Sequence, residues 1–181
     1  MYCDSIEGAF TFKGFYNAII NKFDNGIFVE IGTYKGASIM FLAEKIKDLN
    51  KNIKLYGIDT FEGSIEHQED PEVKAGKLYE VYLKNIDPLK DYIITIKGNS
   101  KEVYKQFEDE SIDFLFIDAD HAYESVKKDL ELWFPKIKIG GIISGHDYLW
   151  IDGRVKRSVD EFFAPRIVNK GVGDVWYITK K

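Results

Sequence analysis

The sequence predicts an α/β fold in which a doubly wound, mostly parallel sheet is covered by helices on both faces. Three observations predict it. Short apolar runs, continuous rather than alternating, read as strands buried on both sides. Stretches with apolar residues at helical spacing separate those runs. Polar, glycine-bearing segments directly follow several of the runs, which is where open parallel sheets carry their ligand sites.

Taken in order, Phe12, Phe15, Tyr16, Ile19, Ile20 and Phe23 predict an opening amphipathic helix. Asn25-Gly26 ends it and leads into a first strand, Ile27–Ile31. Ile39, Leu42, Ala43, Ile46 and Leu49 mark one face of a second helix. Lys54–Ile58 and Ile93–Lys97 read as the next two strands. Between them Asp70-Pro71 is a helix start, with proline at the first helical position. Phe114–Ile117 and Gly140–Ser144 follow as strands, joined by a helix whose inner face carries Ala122, Val126, Leu130 and Trp133. Val175–Ile178 is expected to close the chain as an edge strand. No repeat, linker or low-complexity segment interrupts this order. One domain over residues 1–181 is therefore expected, with 1–26 a helical lead-in and 62–92 an insertion on the substrate side.

Composition narrows the function classes. The chain has 181 residues and a formal net charge of -5 without a basic stripe, which argues against nucleic-acid binding. Cys3 is the single cysteine, so neither an intrachain disulfide nor a thiolate metal cluster is available. The start, Met1-Tyr2-Cys3-Asp4, lacks the pattern of a signal peptide, and no apolar stretch approaches a membrane span. A cytoplasmic protein with no membrane partner is expected.

The chemistry sits at the strand ends. After the first strand comes Glu30-Ile31-Gly32-Thr33-Tyr34-Lys35-Gly36-Ala37-Ser38. Glycines there let backbone approach a ligand, and a helix start offers free amides. Glu30 would repel a diphosphate and attract a cationic ligand. Taken alone, the segment is equally a tight turn with a solvated glutamate. The second strand ends in Asp59-Thr60, where an acidic side chain can accept ribose hydroxyls or satisfy loop amides. The third is followed by Gly98-Asn99-Ser100, suited to an adenine edge or, through Ser100, to capping a helix. The fourth gives Asp118-Ala119-Asp120-His121, and the fifth His146-Asp147. Two such acidic clusters on adjacent strands suit a hard divalent cation such as magnesium, although Asp120 also suits a helix cap. His67 lies in an acidic segment and reads as solvated.

These strand ends, in this order, resemble those of class I S-adenosylmethionine (SAM)-dependent methyltransferases. More narrowly, they are similar to stand-alone domains related to macrocin-type and rhamnosyl O-methyltransferases, with catechol-type enzymes more distant. The resemblance implies a Rossmann-like, seven-stranded sheet whose last strand is antiparallel. It also implies S-adenosyl-L-methionine as cofactor, with Glu30, Gly32, Gly36 and Ser38, and the loop residues Thr33 and Tyr34, around its methionine end. Asp59 and Thr60 would take the ribose, and Asn99 and Ser100 the adenine, with Asp118 bordering both cofactor and reacting atoms. It places magnesium or another divalent cation on Asp118, His146 and Asp147. His146 departs from the usual carboxylate, and imidazole favours softer metals.

His121 matches the position of the catalytic base in sugar-methylating relatives. A predicted helix starts there, and its dipole would keep the imidazole neutral. O-methylation of a small molecule or saccharide is the expected reaction. A nucleotide-dependent oxidoreductase and a non-catalytic SAM-binding module are the alternatives. Tyr79, Tyr82, Tyr148 and Trp150 are candidates to stack on the acceptor, though each equally suits ordinary packing. Larger relatives cover the acceptor with extra N-terminal helices, so a homo-oligomer in which a second subunit completes the pocket is also expected.

Overall fold

The computed structural model describes residues 2–8, 10–149 and 152–181. Its centre is a sheet of seven strands in the order β3-β2-β1-β4-β5-β7-β6. The strands are β1 (Asn25–Ile31), β2 (Asn52–Asp59), β3 (Ile93–Lys97), β4 (Ile112–Ile117), β5 (Ile137–Gly145), β6 (Asn169–Lys170) and β7 (Trp176–Thr179). The first five run parallel, while β7 pairs antiparallel with both β5 and β6. The Rossmann-like, mostly parallel sheet with an antiparallel last strand is thus present.

Alternation along the central strands builds two cores. On β1, Phe28 faces one layer and Val29 the other; on β4, Phe114 and Phe116 oppose Leu115 and Ile117. The Phe28 layer is covered by α1 (Lys13–Lys22), α2 (Ala37–Asp48) and, beyond the short α3 (Pro71–Lys74), by α4 (Leu78–Ile86). The Val29 layer is covered by α5 (Ser100–Val103), α6 (Tyr123–Trp133) and α7 (Arg154–Phe163). Each buried strand therefore presents apolar residues to both sides, the physical origin of the continuous runs.

Several boundaries moved. Asn25-Gly26 already pairs with Asn52 and Ile53, because Gly26 at φ 140 leaves room for the Asp113 carboxylate that its Cβ would meet at 2.4 Å. Asp70 caps α3 as expected, accepting from the amides of Glu72 and Val73. The closing strand is not the edge: β7 lies between β5 and β6, and Trp176 and Ile178 are buried there. Two polar residues form the actual edge, a short strand of the kind that discourages further pairing. None of the described helices is long and apolar enough to cross a membrane.

Candidate active site

The chain passes from β1 outward to β2 and β3, then returns to β4 on the other side of β1, and the switch opens a crevice at the carboxyl ends of these strands. Gly32 and Asp118 stand on its two sides. Gly32 N–H donates to the Ile58 carbonyl, and Asp118 N–H to the Ile31 carbonyl. A cleft of about 200 Å³ follows, bordered by Gly32, Tyr34, Asp59, Asn99, Ser100 and Asp118, with Thr60 beside them.

Gly32 is at φ 87, and a Cβ there would lie 2.0 Å from the Asp118 carbonyl oxygen. Only a glycine lets the loop run this close to β4. Asp59 organises the same loop. Its Oδ2 accepts the amides of Thr33 and Tyr34, each at 2.8 Å, and Oδ1 accepts that of Phe61 at 2.7 Å. The loop-amide role considered for this residue is therefore present, and about one lone-pair site of its carboxylate is left for a ribose hydroxyl.

Glu30, Thr33, Gly36 and Ser38, expected around the methionine end of the cofactor, are not among the residues that line the cleft. They form the floor beneath the loop. Glu30 is 1 % exposed, so the solvated reading fails as well. Tyr16 Oη donates to its Oε2 at 2.7 Å and Ser38 Oγ to its Oε1 at 2.6 Å. Thr33 is buried, and Gly36 caps α2 in a left-handed conformation. Burial pushes the Glu30 carboxyl up to about 8, against the two hydroxyl donors that lower it.

Glu30 therefore stays protonated in the folded chain while the unfolded chain ionises it near 4.5. Its contribution to stability is full below pH 4.5, shrinks as pH rises, and is gone above about 8. Wild-type stability relative to Glu30→Gln is accordingly expected to fall between pH 5 and 8. The slope should be on the order of 1 kcal/mol per pH unit at most. Urea unfolding of both proteins across that range measures it, and parallel curves would refute the assignment.

At the third strand end, Asn99 rather than Ser100 caps α5: its Oδ1 accepts the Lys101 amide at 2.9 Å. Ser100 Oγ instead donates to Asp129 Oδ1 at 2.7 Å. Asp120 accepts the Ala122 amide and the Ser125 hydroxyl at the start of α6.

The ends of β4 and β5 bring Asp118, His121, His146 and Asp147 together. His121 Nε2 lies 2.7 Å from Asp147 Oδ2; His146 Nδ1 lies 3.1 Å from the same oxygen and 3.7 Å from Asp118 Oδ1. Thr11, in the lead-in before α1, hydrogen-bonds His146 Nε2 at 3.0 Å. One ligand atom each from Asp118, His121 and Asp147 falls within 4.8 Å of the others. That grouping suits a divalent cation and has His121 where His146 was expected, while His146 lies beside it on the Asp147 carboxylate.

Their protonation follows from the contacts. Burial raises Asp118 to about 6, with the His146 charge pulling the other way. Burial also opposes a charge on Asp147, but His121 and His146 outweigh it and hold that carboxylate well below the usual range. For His121 burial opposes protonation, yet Asp147, Glu66 and Asp118 lift the imidazole to about 9. The expectation of a neutral His121 fails here for a local reason. The α6 helix begins two residues later, at Tyr123, and the carboxylates dominate.

The segment between β2 and α4 lies over this crevice. Lys35, 2 % exposed, places its ammonium 2.8 Å from Asp70, 2.8 Å from Glu7 and 3.2 Å from Glu72. Tyr34 Oη donates to Asp70. The His67 ring stacks on Tyr34 with centroids 4.3 Å apart, and Ser64 Oγ hydrogen-bonds its Nδ1 at 2.8 Å. His67 is thus packed against the cleft rather than solvated. Glu66 reaches His121 Nδ1 at 3.4 Å, so one strap touches both the glycine loop and the acid–base cluster. Of the aromatic stacking candidates, Tyr82 and Tyr148 are core residues, with hydroxyls on Thr95 and Asp160. Tyr79 packs on Phe61, and Trp150 lies outside the described residues.

A Rossmann-like sheet with this strand order, and a glycine crevice facing carboxylates on β4 and β5, defines a class I methyltransferase fold. Residues 29–148 match the family model described as a methyltransferase domain, and the chain belongs to that family. A protein of Acanthamoeba polyphaga mimivirus is 30% identical over 158 residues, 84% of this chain and 62% of its own length. A Sinorhizobium fredii protein is 24% identical over 119 residues, 66% of this chain and 13% of its own. The chain thus spans less than two thirds of these curated relatives. Among solved structures, the O-methyltransferase NovP superposes with a TM-score of 0.72 at 18% identity, covering 93% of this chain and 77% of NovP. The Podospora anserina methyltransferase PaMTH1, solved with S-adenosylhomocysteine (SAH) bound, gives 0.61 at 18% identity, covering 92% and 75%. Membership of a methyltransferase-domain family counts against the oxidoreductase alternative.

Sequence reading passed over Lys35, Glu66 and Asp129 as site residues. Asp129 carried a usable signal: a charge on the same helical face as Val126, Leu130 and Trp133. Lys35 and Glu66 carried none, because their partners are distant in the chain.

Proposed function

We propose that this domain methylates a hydroxyl oxygen of a small molecule or saccharide, with His121 as general base. The observation that carries the reading is the junction of the glycine crevice with Asp118, His121, His146 and Asp147 at the ends of adjacent strands. Of the described charged side chains that line the cleft, Asp59, Asp118, Asp120 and Asp129 are acidic and only Lys101 is basic, which suits a ligand bearing ammonium and sulfonium charges. SAM supplies a methyl group already activated by its sulfonium, so the protein's task is to position an acceptor and accept its proton. Gly32 and Asp118 border the cofactor side, and His121 stands on the acceptor side between Asp147 and Glu66.

His121 must be neutral to accept a proton, so the negative charge of Asp147 has to be balanced by something other than imidazolium. A divalent cation held by Asp118 and Asp147, with His146 completing the donors, would supply that balance, stabilise an acceptor oxyanion and leave the His121 lone pair for the proton. The mixed nitrogen and oxygen set admits manganese, iron or zinc as well as magnesium. The O-methyltransferase function in the name of NovP supports oxygen as the target.

His121→Ala is expected to lower turnover about 100-fold or more while SAH affinity changes little. Methyl transfer over a panel of sugars and phenols, with defined metals and with chelator, measures it. Full activity in the variant would overturn the base assignment, and a rate indifferent to chelator would remove the cation.

A further inference from the structure

Where the resemblance places a carboxylate, this chain has His146, and the side of that ring turned away from Asp147 is bracketed by residues early and late in the sequence. Thr11, in the lead-in before α1, places Oγ1 3.0 Å from His146 Nε2 and donates to the Gly173 carbonyl oxygen at 3.4 Å. The turn between β6 and β7 that carries Gly173 lies against the backbone of Thr11 and Phe12. The Gly173 backbone hydrogen-bonds the His146 ring as well. Phe12 packs on the imidazole, with ring centroids 4.9 Å apart. None of these contacts belongs to the glycine crevice.

The polarity of the bracket assigns the tautomer of the ring. A carbonyl oxygen only accepts, so the Thr11 hydroxyl proton goes to Gly173 and the lone pairs of Oγ1 are left for a donor. That donor is His146 Nε2–H, which turns the Nδ1 lone pair the other way. Nδ1 lies 3.1 Å from Asp147 Oδ2 and 3.7 Å from Asp118 Oδ1. Three acceptors converging in this way are a ligand set for a cation. His121 also adjoins Asp147, so two imidazoles compete for that role, and the bracket on Nε2 singles out His146. We propose that Thr11 and the Gly173 carbonyl hold His146 as the Nδ1 ligand of the divalent cation, so that the site prefers a manganese- or zinc-class ion to magnesium. The inference rests on the cation reading above. Thr11 is a positioning residue, and losing the outer partner of a ligating imidazole typically weakens metal binding about 10- to 100-fold. A nitrogen donor favours transition ions, whereas magnesium depends on carboxylates and retained water.

Calorimetric titration of the full chain with manganese(II) and with magnesium tests the assignment without turnover. Thr11→Val should weaken manganese binding about 10-fold or more, and magnesium binding by less than about threefold, while the melting temperature holds. Thr11→Ser, which keeps the hydroxyl, should restore the wild-type preference. Electron spin-echo spectra of the manganese-loaded protein identify the ligand. Nitrogen modulation from a bound imidazole should persist in His121→Ala and vanish in His146→Asp. Equal losses of both cations in Thr11→Val, or no loss of either, overturn the proposal. Modulation that survives His146→Asp overturns it too, even if the Thr11 variant does not fold. A wild type that binds neither cation would instead defeat the cation reading beneath it.

Discussion

Gly32→Ala is expected to abolish SAH binding and to destabilise the domain by about 3 kcal/mol or more. Two costs add at this position. An alanine would be held at φ 87, a conformation that L residues rarely adopt. Its Cβ would also meet the Asp118 carbonyl oxygen at 2.0 Å and the carbonyl carbon at 2.5 Å. Both atoms are backbone just past the end of the central strand β4, so no rotamer change relieves the contact. Relief requires the β1 and β4 ends to part, which opens the crevice. Gly76→Ala is the control: it shares a positive φ, at 65, but has nothing within 4 Å of the added carbon. It should cost only about 1 kcal/mol. Chemical unfolding and SAH titration of both variants measure the contrast, and equal losses would show that the close approach is not what matters.

Lys35→Met is expected to cost about 3 kcal/mol and to free the strap over the crevice. The ammonium is the positive centre for Asp70, whose side chain is itself mostly buried, and for the more exposed Glu72 and Glu7. Removing it leaves Asp70 beside the Tyr34 hydroxyl with its charge uncompensated in a poorly hydrated place. Exposed Glu7 adds little, since a solvated pair is weak. Two readouts follow. The thermal midpoint should drop, and limited proteolysis should cut faster between residues 62 and 77. Combining Lys35→Met with Asp70→Asn should cost less than the separate losses summed, because the stranded charge is gone. Additive losses would mean that the two residues do not act on each other.

The strap explains why part of the site was not legible beforehand. Glu66, His67, Asp70 and Glu72 sit in an acidic stretch without apolar periodicity, which predicted a solvated His67 and gave no sign of the contacts the others make. Their order comes from Lys35 and Tyr34, far earlier in the chain. His121 illustrates the same limit. Its place after β4 was readable, but its charge depends on Asp147, which β5 delivers from elsewhere in the sequence. Helix α7 is a different case: Val155, Val159 and Phe163 recur four residues apart, a readable amphipathic signal obscured by the charges between them. Strand β6, two polar residues, has no local signature and exists because β7 offers an edge to pair with.

The amino-acid sequence by itself determined the alternation of strands and helices and the polar groups at the strand ends. Those features are local, since continuous apolar runs and helical spacing record how each segment must be buried. Only the tertiary structure decided which of those polar groups line the cleft and which lie beneath it. It turned Glu30 and Ser38 inward as support, spent most of Asp59 on the loop amides and set His121 against Asp147. The physical reason is that burial and charge pairing depend on atoms brought together across the fold, and these decide which side chains remain available for chemistry.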